Sequence, residues 1–140
     1  MPRSSGAWRR PGTRIFRIDP ATNGVTAVEA GGEGPASIVA TEDSLWVANR
    51  TSNTVTRLDH GVVATIPVGN APGWPAVASD GTIFVPNNGD NTVSRIDPAT
   101  NSVIETIRVG AGPLVMRAAF GDLWLAHLRG ATVWRFRVSS

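Results

Sequence analysis

The chain has 140 residues, 41% hydrophobic and 17% charged, so it is apolar enough to form one folded domain and too weakly charged for a wholly disordered chain. Cysteine and lysine are absent, which excludes disulfides, thiolate chemistry, lysine Schiff bases and P-loop lysines. A net charge of only +2, with no clustered basic face in the sequence, does not favour a nucleic-acid partner.

The chain begins with a basic segment, residues 1–12. All 13 basic residues are arginine, and five of them lie within the first 17 residues. We expect this segment to be a solvated or divergent tail. It has no apolar run of the kind found in a secretory signal, and the chain has none long enough to span a membrane.

A repeat of about 40 residues organises the rest of the chain. Arginines followed by a hydrophobic residue recur at steps of 40, 38 and 40 residues, at Arg17, Arg57, Arg95 and Arg135. An aromatic residue inside a hydrophobic triplet recurs in phase with them, at Trp46, Phe84 and Trp124. Repeats of this length indicate one supersecondary unit that stacks on its neighbours.

Each unit is predicted to contain four short antiparallel strands separated by turn residues. In the unit read most clearly, the predicted strands cover residues 75–79, 82–86, 92–97 and 103–109, with Asp-Gly, Asn-Gly and Asp-Pro turns between them. Four strands in about 40 residues are typical of a β-propeller blade, whereas the phased repeat argues against an eight-stranded sandwich. The predicted fold class is therefore all-β.

The repeat divides residues 13–140 into a partial β-propeller. We predict the last two strands of one blade at about 13–30, complete blades at 35–69 and 72–110, and three strands of another blade at 113–138. These amount to about three blades, which is fewer than the ~4 of the smallest common propellers. We therefore expect the chain to be the C-terminal part of a larger ring, or to need a second chain to close one.

The motifs also resemble a known family. Residues 45–49 (LWVAN), 91–101 (NTVSRIDPATN) and 106–110 (TIRVG) are similar to the YVTN β-propeller repeat of YncE-like and virginiamycin B lyase-like propellers. This resemblance implies a bacterial protein with a ring of often about seven blades and an extracytoplasmic address. Because one propeller frame hosts many activities, the resemblance says less about function.

Five residues are candidates for ligand binding on the face that carries the loops between blades. Asn49, Asn87 and His127 occupy one repeat position, where they either line the channel mouth or cap turns. Trp74 lies in a one-residue insertion and either stacks on a ligand or packs over a neighbouring blade. Arg117, aligned with Val39 and Val77, either binds an anion in the channel or forms a buried ion pair.

Other repeated residues are predicted to be structural. The aromatic residues Trp46, Phe84 and Trp124 should lie in the core between blades, and the repeated arginines should pair with acids such as Asp59 and Asp97. His60 should be an exposed turn residue. We find no sequence motif for catalysis, a metal or a cofactor, and we expect none of these.

Two functions follow from the sequence. The preferred interpretation is a non-catalytic module that binds a protein, peptide or cell-envelope ligand across its loop face. The alternative is part of a magnesium-dependent virginiamycin B lyase-like or other propeller enzyme, in which His127 is the one histidine in a suitable place.

Overall fold

The computed structural model describes residues 12–138, which form thirteen β-strands and no helix. The strands are β1 (Arg14–Asp19), β2 (Gly24–Glu29), β3 (Pro35–Ala40), β4 (Leu45–Asn49), β5 (Thr54–Leu58), β6 (Val62–Pro67), β7 (Ala76–Val77), β8 (Ile83–Asn87), β9 (Thr92–Asp97), β10 (Ser102–Arg108), β11 (Pro113–Ala119), β12 (Asp122–His127) and β13 (Thr132–Phe136). Since the described part contains no helix, none could cross a membrane.

The strands form four antiparallel meanders. The first sheet is β1-β2, the second is β3-β4-β5-β6, the third is β7-β8-β9-β10, and the fourth is β11-β12-β13. Within each sheet, consecutive strands are neighbours, as short turns require. The prediction of an all-β chain with four-stranded units is therefore confirmed.

Alternation along the strands places apolar side chains on both faces of each central sheet. In the third sheet, Ile83 and Val85 pack against the second sheet, whereas Phe84 and Val93 pack against the fourth. Period-two alternation explains this division, because successive side chains of a strand point to opposite faces. One apolar layer therefore holds each pair of neighbouring sheets together. Of the three aromatic residues predicted to lie in the core, Trp46 and Phe84 are buried and Trp124 is half-buried.

The Asp-Pro-Ala-Thr-Asn segments form identical turns at their two occurrences. In the turn at Asp97, the carboxylate accepts the N–H of Ala99 at 2.9 Å, and the backbone N–H of Asn101 donates to the Asp97 carbonyl at 2.8 Å. Asn101 has φ of 53°, a left-handed conformation that asparagine tolerates better than most residues. Asp97 is therefore an acceptor within its own turn.

The repeated arginines pair with acids other than those we expected. Arg57 contacts Asp43 at 3.4 Å and Arg95 contacts Asp80 at 2.5 Å, so Asp59 and Asp97 are not their partners. The guanidinium groups also lie over the aromatic ring opposite them in the neighbouring strand, at 5.0 Å for Arg57 over Trp46. Each of these two arginines therefore contacts both the aromatic residue of the second strand and the acid in the turn before that strand, and these contacts stabilise its sheet.

Asp80 shows the electrostatic consequence of this arrangement. Partial burial opposes its charge, but hydrogen bonds from Thr82 and Arg95 outweigh burial and hold the pKa of the Asp80 carboxyl below its ordinary value. Arg57 additionally donates to the Pro98 carbonyl at 2.7 Å in the next sheet. Arg57 thus links the second sheet to the third.

Candidate functional site

An inner wall runs along the first strands of three successive sheets. We define it as β3, residues 74–77 and β11. Trp74 joins the third sheet to the fourth, because its N–H donates to the Leu114 carbonyl at 2.8 Å and its carbonyl accepts the Met116 N–H at 3.0 Å. On the other side, the Ser37 hydroxyl donates to the Gly73 carbonyl at 2.7 Å. Backbone hydrogen bonds at one sheet boundary and a hydroxyl-to-carbonyl bond at the other therefore fix this wall.

Gly73 allows these two backbones to approach each other. A methyl group at Gly73 would overlap the Leu114 carbonyl oxygen, so a larger residue could not occupy this position without a shift of the backbone. The close approach places the Trp74 indole at the rim of a hollow of about 360 Å³, beside Pro35 and Ile38 of β3. Trp74 remains 37% exposed there. Its ring therefore borders a hollow that it shares with the neighbouring sheet and still presents surface to a ligand.

Arg117 lies further along the same wall. It is exposed on β11, so the expectation of a buried ion pair is wrong. It borders a second hollow, of about 240 Å³, with Val39 and Ala76. Strand pairing also corrects our alignment: Arg117 pairs with Trp124 as Val39 pairs with Trp46, but in the third sheet it is Ala76, and not Val77, that faces the aromatic residue.

Asn49 and Asn87 are fully buried and therefore do not line the channel mouth. The Asn49 amide nitrogen donates to the hydroxyls of Thr54 and Thr56, at 3.2 and 2.8 Å. Asn87 makes the same pair of bonds to Thr92 and Ser94. These amides bind side-chain hydroxyls across the strand pair and do not cap turns through backbone groups, so both of our interpretations of this position need correction.

Glycines of the preceding sheet cover these two amides. A methyl group at Gly69 would lie 2.7 Å from the Asn87 amide carbon, and one at Gly32 would lie 2.6 Å from that of Asn49. The amide oxygens of both asparagines are buried without a hydrogen-bond partner in the described part of the chain. The position is thus a tightly packed contact between sheets.

His127 occupies the equivalent position and is also buried. Its Nε2 accepts the Gly110 N–H at 3.2 Å, and its Nδ1 faces the Thr132 carbonyl at 3.4 Å. The ring also packs against Trp134, with centroids 5.0 Å apart. Both ring nitrogens therefore have partners inside the protein. Within residues 12–138, no three histidine or acidic side chains cluster in a way that could hold a metal ion.

The loop face contains residues that we did not predict from the sequence. Arg50 donates to the Asn88 side chain at 2.9 Å, and Asn88 in turn donates to the Pro113 carbonyl at 3.2 Å. The Asn91 side chain accepts from Gly112 and Arg129, both at 2.9 Å. The sequence signal that could have identified these loop residues is an arginine or asparagine one or two positions after the second strand of each unit, at Arg50, Asn88 and Arg129. These bonds make the loops a rigid surface.

Comparison with solved structures defines the class of protein. Virginiamycin B lyase from Staphylococcus aureus is 16% identical, with a TM-score of 0.70, over 91% of this chain and 50% of that one. A streptogramin B lyase structure gives 16% identity and a TM-score of 0.74 over 91% and 49%. Kuenenia stuttgartiensis hydrazine synthase is 27% identical over 67% and 29%, with a TM-score of 0.64.

These similarities, together with the four-stranded sheets, identify an all-β chain built of β-propeller blades. The chain spans about half the length of the two lyases that it matches. No family model matches the sequence. No curated protein matches it either.

Proposed function

We propose that this chain is a YVTN-type propeller module that binds a protein, peptide or cell-envelope ligand on its inner wall and the adjoining loop face. The observation that carries the proposal is the exposure of Trp74 and Arg117 on neighbouring first strands that backbone hydrogen bonds tie together. Asn49, Asn87 and His127, by contrast, are used for packing between sheets. The family resemblance extends the proposal to a bacterial, extracytoplasmic protein.

The chemistry of the wall defines the ligand class. Trp74 offers an aromatic face beside Pro35 and Ile38, and Arg117 offers a permanent positive charge beside Val39 and Ala76. An extended ligand with an apolar side chain and a nearby carboxylate matches both features. An acidic peptide that contains an aromatic residue is therefore the simplest ligand for this surface.

Titration calorimetry with two short peptides tests the proposal. We expect a Glu-Phe-Glu peptide to bind more tightly than Lys-Phe-Lys, and we expect Trp74→Ala and Arg117→Gln each to weaken its binding by about tenfold. Arg108→Gln removes another exposed arginine, on the outer strand β10, and should leave binding unchanged. Equal binding of the two peptides, or equal effects of the Arg117 and Arg108 variants, would reject the proposal.

A magnesium-dependent lyase-like enzyme is the second candidate, because two of the similar folds are named as a virginiamycin B lyase and a streptogramin B lyase. This function would require His127 to leave its bond to the Gly110 N–H. Addition of Mg²⁺ at sub-millimolar concentration should then raise the melting temperature, and His127→Ala should abolish that rise. An unchanged melting temperature would reject this candidate and leave the binding module.

A further inference from the structure

β1 holds the third-strand position of its repeat, but its pairing differs from that of the other third strands. In the second, third and fourth sheets, the third strand (β5, β9 or β13) pairs with a second strand, whereas β1 pairs with β2 alone within residues 12–138. Burial reflects this difference. Ile18 is 63% exposed, but Leu58 and Ile96, at the same repeat position, are 5% and 0% exposed. An apolar strand edge of this kind is a site for pairing with another strand.

A groove of about 800 Å³ lies beside this edge, between the first and second sheets. Phe16 and Ile18 line one side, and Ile38 and Leu45 line the other. All four side chains are at least 37% exposed. The groove therefore offers apolar surface on two sides and, on the third, a β1 backbone that pairs with no other strand of residues 12–138, which suits an inserted β-hairpin.

The repeat defines the strand that would pair with β1. Arg57, Arg95 and Arg135 lie over aromatic rings of the second strand, at 5.0, 5.3 and 5.9 Å. Arg17 holds the same repeat position on β1. The incoming strand should therefore place an aromatic residue opposite Arg17.

Phe16 narrows the choice among the three second strands of this chain. In the second sheet, the repeat position of Phe16 is held by Thr56, and the second strand of that sheet ends in Asn49. The Thr56 hydroxyl accepts a hydrogen bond from the Asn49 amide, so a small hydroxyl residue at this position accompanies an asparagine at the end of the second strand. In the fourth sheet the position holds Trp134, and the second strand ends in His127. An aromatic residue at Phe16 thus matches a strand that ends in histidine, and that strand is β12.

We propose that the β11–β12 hairpin of a second copy of this chain occupies the groove, with β12 paired to β1 in place of its own β13. The two strands of the first sheet and the two of the hairpin then make one four-stranded blade. Reciprocal exchange between two copies forms two such shared blades.

Exchange of β13 for β1 preserves the number of strand pairs and covers Ile18 and Phe16, while it releases β13 and the Phe136 side chain that packs on the core between the third and fourth sheets. The groove and the inner wall share Ile38, and the hairpin includes β11, but this inference rests on the edge of β1 and not on Trp74.

Association of the full chain tests the proposal first. Sedimentation equilibrium from below to well above micromolar concentration should show a monomer and a dimer. Ile18→Asp should weaken association at least about tenfold, since it places a charge in the groove. Ile104→Asp is the matched control, because Ile104 is 52% exposed on the outer strand β10, and it should change nothing.

A disulfide between copies tests the register. Ala126 pairs with Val133 of β13, and Ile15 is the repeat counterpart of Val133, so Ile15 and Ala126 should face each other across the exchanged pair. The chain has no native cysteine. A mixture of Ile15→Cys and Ala126→Cys proteins should form a mixed disulfide dimer on oxidation, whereas either variant alone should form far less.

Three results would overturn the proposal. One is a monomer at all concentrations, which would leave the groove to a segment of the same chain. Another is a dimer that does not form the mixed disulfide. The third is a dimer that Ile18→Asp and Ile104→Asp weaken equally. Circular dichroism of each variant confirms that it is folded, so that unfolding is not mistaken for loss of association.

Discussion

Truncation of Trp46 should be one of the most destabilising single changes in this chain. The side chain is fully buried between the second and third sheets, and the Arg57 guanidinium lies 5.0 Å from its ring. A tryptophan that buries about 150–250 Å², at about 25 cal/mol per Å², gains about 4–6 kcal/mol on burial. Trp46→Ala should therefore cost about 4–5 kcal/mol, near the upper end of measured aromatic-to-alanine losses.

Trp124 supplies the internal comparison. It holds the same repeat position but is half-buried, because the fourth sheet has no described neighbour on its outer face, and Arg135 lies 5.9 Å from its ring. Trp124→Ala should cost about 2–3 kcal/mol, roughly half as much. Urea unfolding followed by circular dichroism measures both changes. A cost below about 2 kcal/mol for Trp46→Ala, or a larger cost for Trp124→Ala, would refute the assignment of the core.

Two further changes test the packing and the charge of the repeat. Gly69→Ala places a methyl group 2.7 Å from the buried Asn87 amide carbon, so it should lower the free energy of unfolding in urea by about 1–3 kcal/mol. Gly12→Ala is the control, because a methyl group there meets no atom within 4 Å. Equal losses of stability in the two variants would contradict the close contact at Gly69. Since the pKa of Asp80 is lowered in the folded state from 3.8, its ionised form stabilises the fold above that pH, and this contribution is lost as the pH falls further. The melting-temperature gap between wild type and Asp80→Asn should therefore narrow on acidification below about pH 4, and a constant gap would contradict this.

The positions of most strands could be predicted from local sequence. The strand predicted at residues 92–97 is observed as Thr92–Asp97, because hydrophobic alternation and flanking turn residues define both ends. The strand predicted at 75–79 shortens to Ala76–Val77. Pro72 and Pro75 lack the N–H that a strand needs, and the inserted Trp74 pairs with the next sheet. That pairing depends on the contact between sheets, which sequence order does not contain.

The ion pairs could not be predicted in the same way. Asp59 is the nearest acid to Arg57 along the chain, but Arg57 lies opposite Trp46 in the β4–β5 register and so reaches back to Asp43, in the turn before β4. The partner is set by which turn the register brings close. A sequence signal was nevertheless present, because Asp43, Asp80 and Asp122 each lie shortly before the aromatic residue of their unit.

The candidate site could be predicted in residue type but not in exposure. Asn49, Asn87 and His127 were selected as polar residues at one repeat position, and the repeat correctly places them in equivalent sites. Their burial follows from glycines of the preceding sheet that close over them. Exposure of Trp74 and Arg117 likewise depends on the packing of neighbouring sheets, which composition and spacing do not determine.

The pairing of His127 with Trp134 explains why this position departs from asparagine in the last unit. In the second sheet, the Asn49 amide needs the Thr56 hydroxyl, at 2.8 Å. His127→Asn would place an amide against the Trp134 ring, where it keeps the hydroxyl of Thr132 but lacks the second hydroxyl that Thr56 supplies to Asn49, and it should cost about 1–2 kcal/mol. Trp134→Thr restores that hydroxyl, so the double variant should be more stable than the sum of the single effects by about 0.5–2 kcal/mol. Urea unfolding of the four proteins gives this coupling energy, and purely additive losses would show that the two residues vary independently.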